Sequence, residues 1–165
     1  MRVALGFAIM MMTTANAVAD VEVSFREGAP KDRFEIVNTS KCKLANAELV
    51  IDLNGSAGGL IFDVTATGAG VEVFQRFEVV AGNEFLTNEP QVKDGDRSLA
   101  LSIGTLPAGG KIGFTIDVDD TANSREITVT DSELSGAKVV LRGANGTVEK
   151  AFGSRPSLKL DGSIC

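Results

Sequence analysis

The residues best suited to chemistry are the carboxylates of Asp117-Val118-Asp119-Asp120-Thr121, three within four positions. The preceding run, Lys111 to Val118, alternates apolar and polar residues, as a strand does. If Ile112, Phe114, Ile116 and Val118 face a core, then Thr115, Asp117 and Asp119 share the opposite face and Asp120 opens the next turn. Carboxylates this close repel unless a cation or an arginine holds them. Hard oxygen ligands on a loop suit Ca²⁺, so Asp117, Asp119 and Asp120 are the candidate metal ligands. The spacing is not that of an EF-hand: Thr121 replaces an acidic ligand, Ala122 stands where glycine is needed, and Thr128 replaces the closing glutamate. Arg125 and Glu126 follow closely, so an internal ion pair with Arg125 and a solvated acidic turn are the competing readings. Asp94-Gly95-Asp96, between Lys93 and Arg97, is a second acidic turn, read most simply as a hairpin loop. Asp63, on the polar phase of its own strand, is a further candidate ligand for either cluster.

Other chemistry is poorly supplied. The chain has no His, Trp or Tyr, and its four methionines all lie in the first twelve residues. Its serines and threonines have no histidine base and no G-x-S-x-G elbow. Paired carboxylates such as Asp117 and Asp119 would serve a hydrolase only within a pocket of defined separation. The rings on which sugar sites usually stack their substrates are missing. No catalytic residue is assigned and no cofactor is required; calcium is the candidate ion.

Cys42 and Cys165 are the two cysteines. So far apart, in an oxidising compartment, they read as one disulfide; two free thiols are the alternative. A metal pair is disfavoured, because two sulfurs without histidine are too few ligands. The compartment is read from the first nineteen residues, MRVALGFAIMMMTTANAVA: a positive Arg2, an apolar run too short to span a bilayer, and small-x-small sites at Ala15-Asn16-Ala17 and Ala17-Val18-Ala19. The expected division is a signal peptide over 1–19 and one domain over 20–165, exported to the periplasm or beyond the cell. Without Arg2 the remaining chain carries 15 basic and 22 acidic residues, a net charge of −7. Such a chain is a poor partner for nucleic acid, which needs clustered Lys and Arg. No second long apolar run follows, so no membrane insertion is expected once the leader is removed.

The elements that must position the aspartates read as strand and turn throughout. Alternation recurs in 21–25, 34–36, 49–53 (with Leu49, Ile51 and Leu53 on one face), 60–64, 71–79, 99–103, 112–118, 127–129, 139–141 and 148–152. Asn54-Gly55 and Asn145-Gly146 are favoured tight-turn pairs, and other Gly-rich breaks separate the remaining runs. About ten short strands indicate an all-β fold, a two-sheet antiparallel β-sandwich of Greek-key or jelly-roll type, with a closed barrel as the alternative. The eight phenylalanines beyond the leader sit almost all at alternating positions and are assigned to the core. Asn38-Thr39-Ser40, Asn54-Gly55-Ser56 and Asn145-Gly146-Thr147 match the glycosylation acceptor pattern.

Several stretches resemble the small exported bacterial proteins labelled "aggregation factor core". They are Glu27-Gly28-Ala29-Pro30-Lys31-Asp32-Arg33-Phe34, Gly59 to Thr65, Gly70-Val71-Glu72-Val73-Phe74-Gln75, Phe114 to Thr121, and Arg125-Glu126-Ile127-Thr128-Val129. The label echoes sponge proteoglycan factors that mediate calcium-dependent cell aggregation. The resemblance implies an exported β domain that is not an enzyme, and it brings no catalytic residues. The expectation is therefore an adhesion or extracellular interaction module with a protein or cell-surface partner. The rivals are a periplasmic hydrolase using paired carboxylates and an accessory subunit of an envelope assembly.

Overall fold

Along the first strand, β1 (Ala19–Arg26), Val21, Val23 and Phe25 turn inward while Glu22 and Arg26 stay exposed. The same period of two recurs in β2 (Asp32–Asn38), β3 (Leu44–Asp52), β5 (Glu78–Ala81), β6 (Ser98–Leu106), β8 (Lys138–Gly143) and β10 (Ser157–Gly162). By contrast, β4 (Ile61–Asp63) and β7 (Lys111–Asp119) are buried on both faces, and β9 (Gly146–Ala151) is largely exposed. The computed structural model describes residues 19–28, 31–70, 74–122 and 128–162. Residues 1–18 of the expected leader (1–19) lie outside them, as do Arg125, Glu126 and Cys165, while Ala19 begins β1.

The strands form two antiparallel sheets, and the fold is a β-sandwich. One sheet runs β10-β1-β2-β7-β4, with β5 also on β7; the other runs β6-β3-β8-β9. The inner faces meet in a single core, in which Leu49, Ile51 and Leu53 pack with Ile112, Phe114, Ile116 and Val118. Phe25, Phe34 and Phe114 lie side by side across β1, β2 and β7, with centroids 4.9 and 5.2 Å apart, and Phe77 adds a third contact at 5.0 Å. This aromatic row fixes the register of β7, and with it the position of every side chain on its other face.

Four local readings change. Of the alternating run 71–79, residues 71–73 lie outside the described residues, 74–77 carry no ladder, and β5 begins only at Glu78. In the run 127–129, Ile127 lies outside the described residues, and Thr128 and Val129 are in no strand. Thr130 to Glu133 forms a capping box that starts a single helical turn, α1 (Asp131–Leu134), too short to show a helical period. Asn38 is a structural hub rather than a glycan acceptor. Its buried amide nitrogen donates to the carbonyls of Cys42 (2.8 Å), Leu106 (3.0 Å) and Pro107 (3.1 Å), tying the β2–β3 turn to the end of β6.

Candidate metal centre

β7 is the strand that holds the site, and it is paired along both edges. β2 lies on one side; on the other, β5 pairs with residues 113–115 and β4 with residues 117–119. Because Ile116 and Val118 face the core, Thr115, Asp117 and Asp119 face outward, as expected. That outer face is not open to solvent. Between β4 and β5 the chain makes a long excursion, and its first part, Thr65–Gly70, folds back over the aspartates. A Cβ at Gly70 would overlap Oδ2 and Cγ of Asp63 and lie 2.5 Å from Oδ2 of Asp119.

The register sets Asp63 of β4 directly opposite Asp117 and places Ile61 opposite Asp119. Asp63, Asp117 and Asp119 each bring a carboxylate oxygen within 4.8 Å of the others. They are 0 %, 5 % and 1 % exposed. Among the described residues, neither oxygen of Asp63 has a hydrogen-bond partner of ordinary geometry. A buried carboxylate left this way lacks the compensation that buried polar groups nearly always find. Burial first, then the neighbouring Asp94 carboxyl and the Asp119 charge, pushes Asp63 up to about 7. Burial, followed by the charges of Asp119, Asp32 and Asp63, pushes Asp117 up to about 8.

Asp120 is buried too, but it follows the end of β7 and is not one of the three convergent carboxylates. The chain leaves the strand there, and the next residues are tied elsewhere: Thr121 and Ala122 both donate to the Gly58 carbonyl at 3.0 Å. The Asp94 turn is not a simple hairpin loop, since β5 and β6 belong to different sheets. It belongs to the site: Asp94 accepts from the amides of Ala69 (2.8 Å) and Val64 (3.3 Å) and so holds the covering loop. Its own turn is fastened to β4, because Phe62 donates to Asp96 O (2.8 Å) and Gly95 donates to Phe62 O (2.9 Å). Burial alone would raise Asp94, but the Ala69 amide, the Asp63 carboxyl and the amides of Val64 and Thr65 hold it below the ordinary carboxylate value.

Asp32 went unrecognised in the sequence. It is 4 % exposed at the start of β2, and its carboxylate accepts from the amides of Gly28 (3.1 Å) and Val118 (2.9 Å). Burial raises it to about 7 against the pull of those two amides, with Glu27 and Asp119 adding to the rise. The available signal was its phase, since it alternates with Phe34 and Ile36 on the inward side of β2.

Two ligands on opposite sides of a Ca²⁺ ion, each at about 2.3–2.6 Å, are about 5 Å apart. Oxygens within 4.8 Å of one another fall inside that span, and the donor set is all hard oxygen. Neither of two surface grooves is lined by the three aspartates. One of about 520 Å³ is lined by Lys150, Arg155 and Lys159; another of about 390 Å³, lined by Val64, Thr65, Arg76 and Phe77, borders the covering loop. Among the described residues no helix is long and apolar enough to cross a membrane. The chain matches no family model, no curated protein and no solved structure.

Proposed function

We propose that this chain is an exported β-sandwich interaction module, of the aggregation factor core kind, whose Asp63–Asp117–Asp119 centre binds Ca²⁺. The observation that carries the reading is the Asp63 carboxylate, fully buried and without a hydrogen-bond partner of ordinary geometry among the described residues, facing Asp117 across the β4–β7 pair. An ion is the simplest group that satisfies those oxygens while relieving the repulsion between the carboxylates. The proposed ligand set is Asp63, Asp117 and Asp119, the three carboxylates that converge.

The carboxylates are closed to a substrate-sized molecule, which favours a structural ion over hydrolysis. The ion then joins the end of β7, the end of β4 and the covering loop, and the partner is a protein or cell-surface component met outside the cytoplasm. Crosslinking on intact cells, with the exported protein as bait, tests this. A partner captured in calcium, lost on chelation and lost in Asp63→Asn supports the module. Capture that ignores both calcium and the substitution overturns the calcium-dependent reading.

A further inference from the structure

We infer that Gly70 sets the ion selectivity of this centre, its backbone forming a close roof that admits Ca²⁺ and rejects Mg²⁺. The inference rests on the reading of Asp63, Asp117 and Asp119 as a cation site, and Asp63, buried with neither oxygen partnered at ordinary geometry among the described residues, is what points to an ion there.

Mg²⁺ demands near-ideal octahedral geometry and keeps several of its waters, whereas Ca²⁺ accepts six to eight oxygens in irregular arrangements. A site that discriminates between them does so by leaving no room for the retained waters. Gly70 supplies that restriction. The space a side chain would take at this position is already shared by the carboxylates of Asp63 and Asp119. Its φ is not in the left-handed region, so glycine is needed here for space rather than for backbone freedom.

The roof is held from outside by Asp94, a positioning residue. Its two oxygens take the amides of Val64 and Ala69, so the loop is fastened on both sides of the Thr65–Gly68 bend. A Cβ at Gly68 would overlap the Asp94 carboxylate, which shows how closely loop and anchor fit.

Calorimetric titration of the metal-free exported protein at pH 8 with CaCl₂ or MgCl₂ alone tests the inference. The parent should bind Ca²⁺ with a Kd on the order of 10⁻⁴–10⁻³ M and Mg²⁺ at least about tenfold more weakly. Gly70→Ala keeps every charge but fills the space between the carboxylates, so it should weaken Ca²⁺ binding at least about tenfold. Asp94→Ala releases the roof and should bring the two ions to within about threefold of each other. Parental calcium affinity in Gly70→Ala, or equal affinities for both ions in the parent, overturns the roof and leaves the cation site standing. A parent that binds neither ion overturns the site itself. If circular dichroism shows Gly70→Ala unfolded, the parent's ion ratio and its collapse in Asp94→Ala decide.

Discussion

Asp63 and Asp117 stand directly opposite each other in the β4–β7 pair, both withdrawn from water. Like charges facing each other across strands destabilise a sheet, and burial deepens the effect. A protein that retains such a pair either binds a proton there or binds a cation.

Calcium should raise the thermal midpoint. At about ten times its dissociation constant it stabilises the fold by roughly 1.4 kcal/mol, worth a few degrees in a domain of this size. Asp119→Asn and Asp63→Asn should abolish the response. Circular dichroism is the suitable probe, because the chain has neither Trp nor Tyr to fluoresce. An unchanged midpoint in millimolar calcium would return the segment to an ion pair involving Arg125.

In the absence of metal, Asp117→Asn should stabilise the protein, by about 1 kcal/mol or more, because it removes one of the opposed buried charges. Urea denaturation at pH 8 in a chelator measures this. A loss of stability on this substitution would show that Asp117 is held by a cationic side chain.

The metal-free protein should lose stability as pH rises. Asp32 is raised to about 7 from 3.8, so between those values the folded state holds a proton that the unfolded chain has released. Its contribution is fully present below about pH 4 and is gone above about pH 7. Asp63, raised to about 7, and Asp117, raised to about 8, act with the same sign and extend the decline to about pH 8. Asp94, held low, contributes the opposite way and only at the acid end. Denaturation midpoints measured from pH 4 to pH 8.5 with chelator should therefore fall, and calcium should restore them at the alkaline end. A flat profile would mean that these carboxylates are hydrated in solution.

Cys42 and Cys165 should be joined under oxidising conditions. Asn38 and Leu160 both pair with Val21, so β10 ends on the side of the sheet where the Asn38–Cys42 turn lies. Non-reducing peptide mapping decides the linkage, and reduction should destabilise the fold by roughly 2–5 kcal/mol. Two free thiols in oxidised material would end the idea.

Phe114→Ala should destabilise the fold by about 3–5 kcal/mol, because it empties the centre of the aromatic row formed with Phe34 and Phe77. The loss should appear as a lower urea midpoint. A cost below about 1 kcal/mol would mean that the row repacks around the gap.

Strand identity was legible in the chain itself, because a period of two survives any arrangement of the sheets. It put Leu49, Ile51 and Leu53 on one face and Ile112, Phe114, Ile116 and Val118 on another, and all seven are buried. It also put Asp117 and Asp119 together on the far side of β7, since alternate residues of one strand must share a face. What alternation cannot express is which strand lies alongside and what covers the outer face. Those depend on contacts between residues distant in sequence. Pairing with β4 brought Asp63 in; the end of β7 left Asp120 out; the loop to Gly70, anchored by Asp94, turned an outward face into a closed one. Local sequence set which way each carboxylate points, and only the tertiary structure withdrew those carboxylates from water, which is what makes them a candidate site.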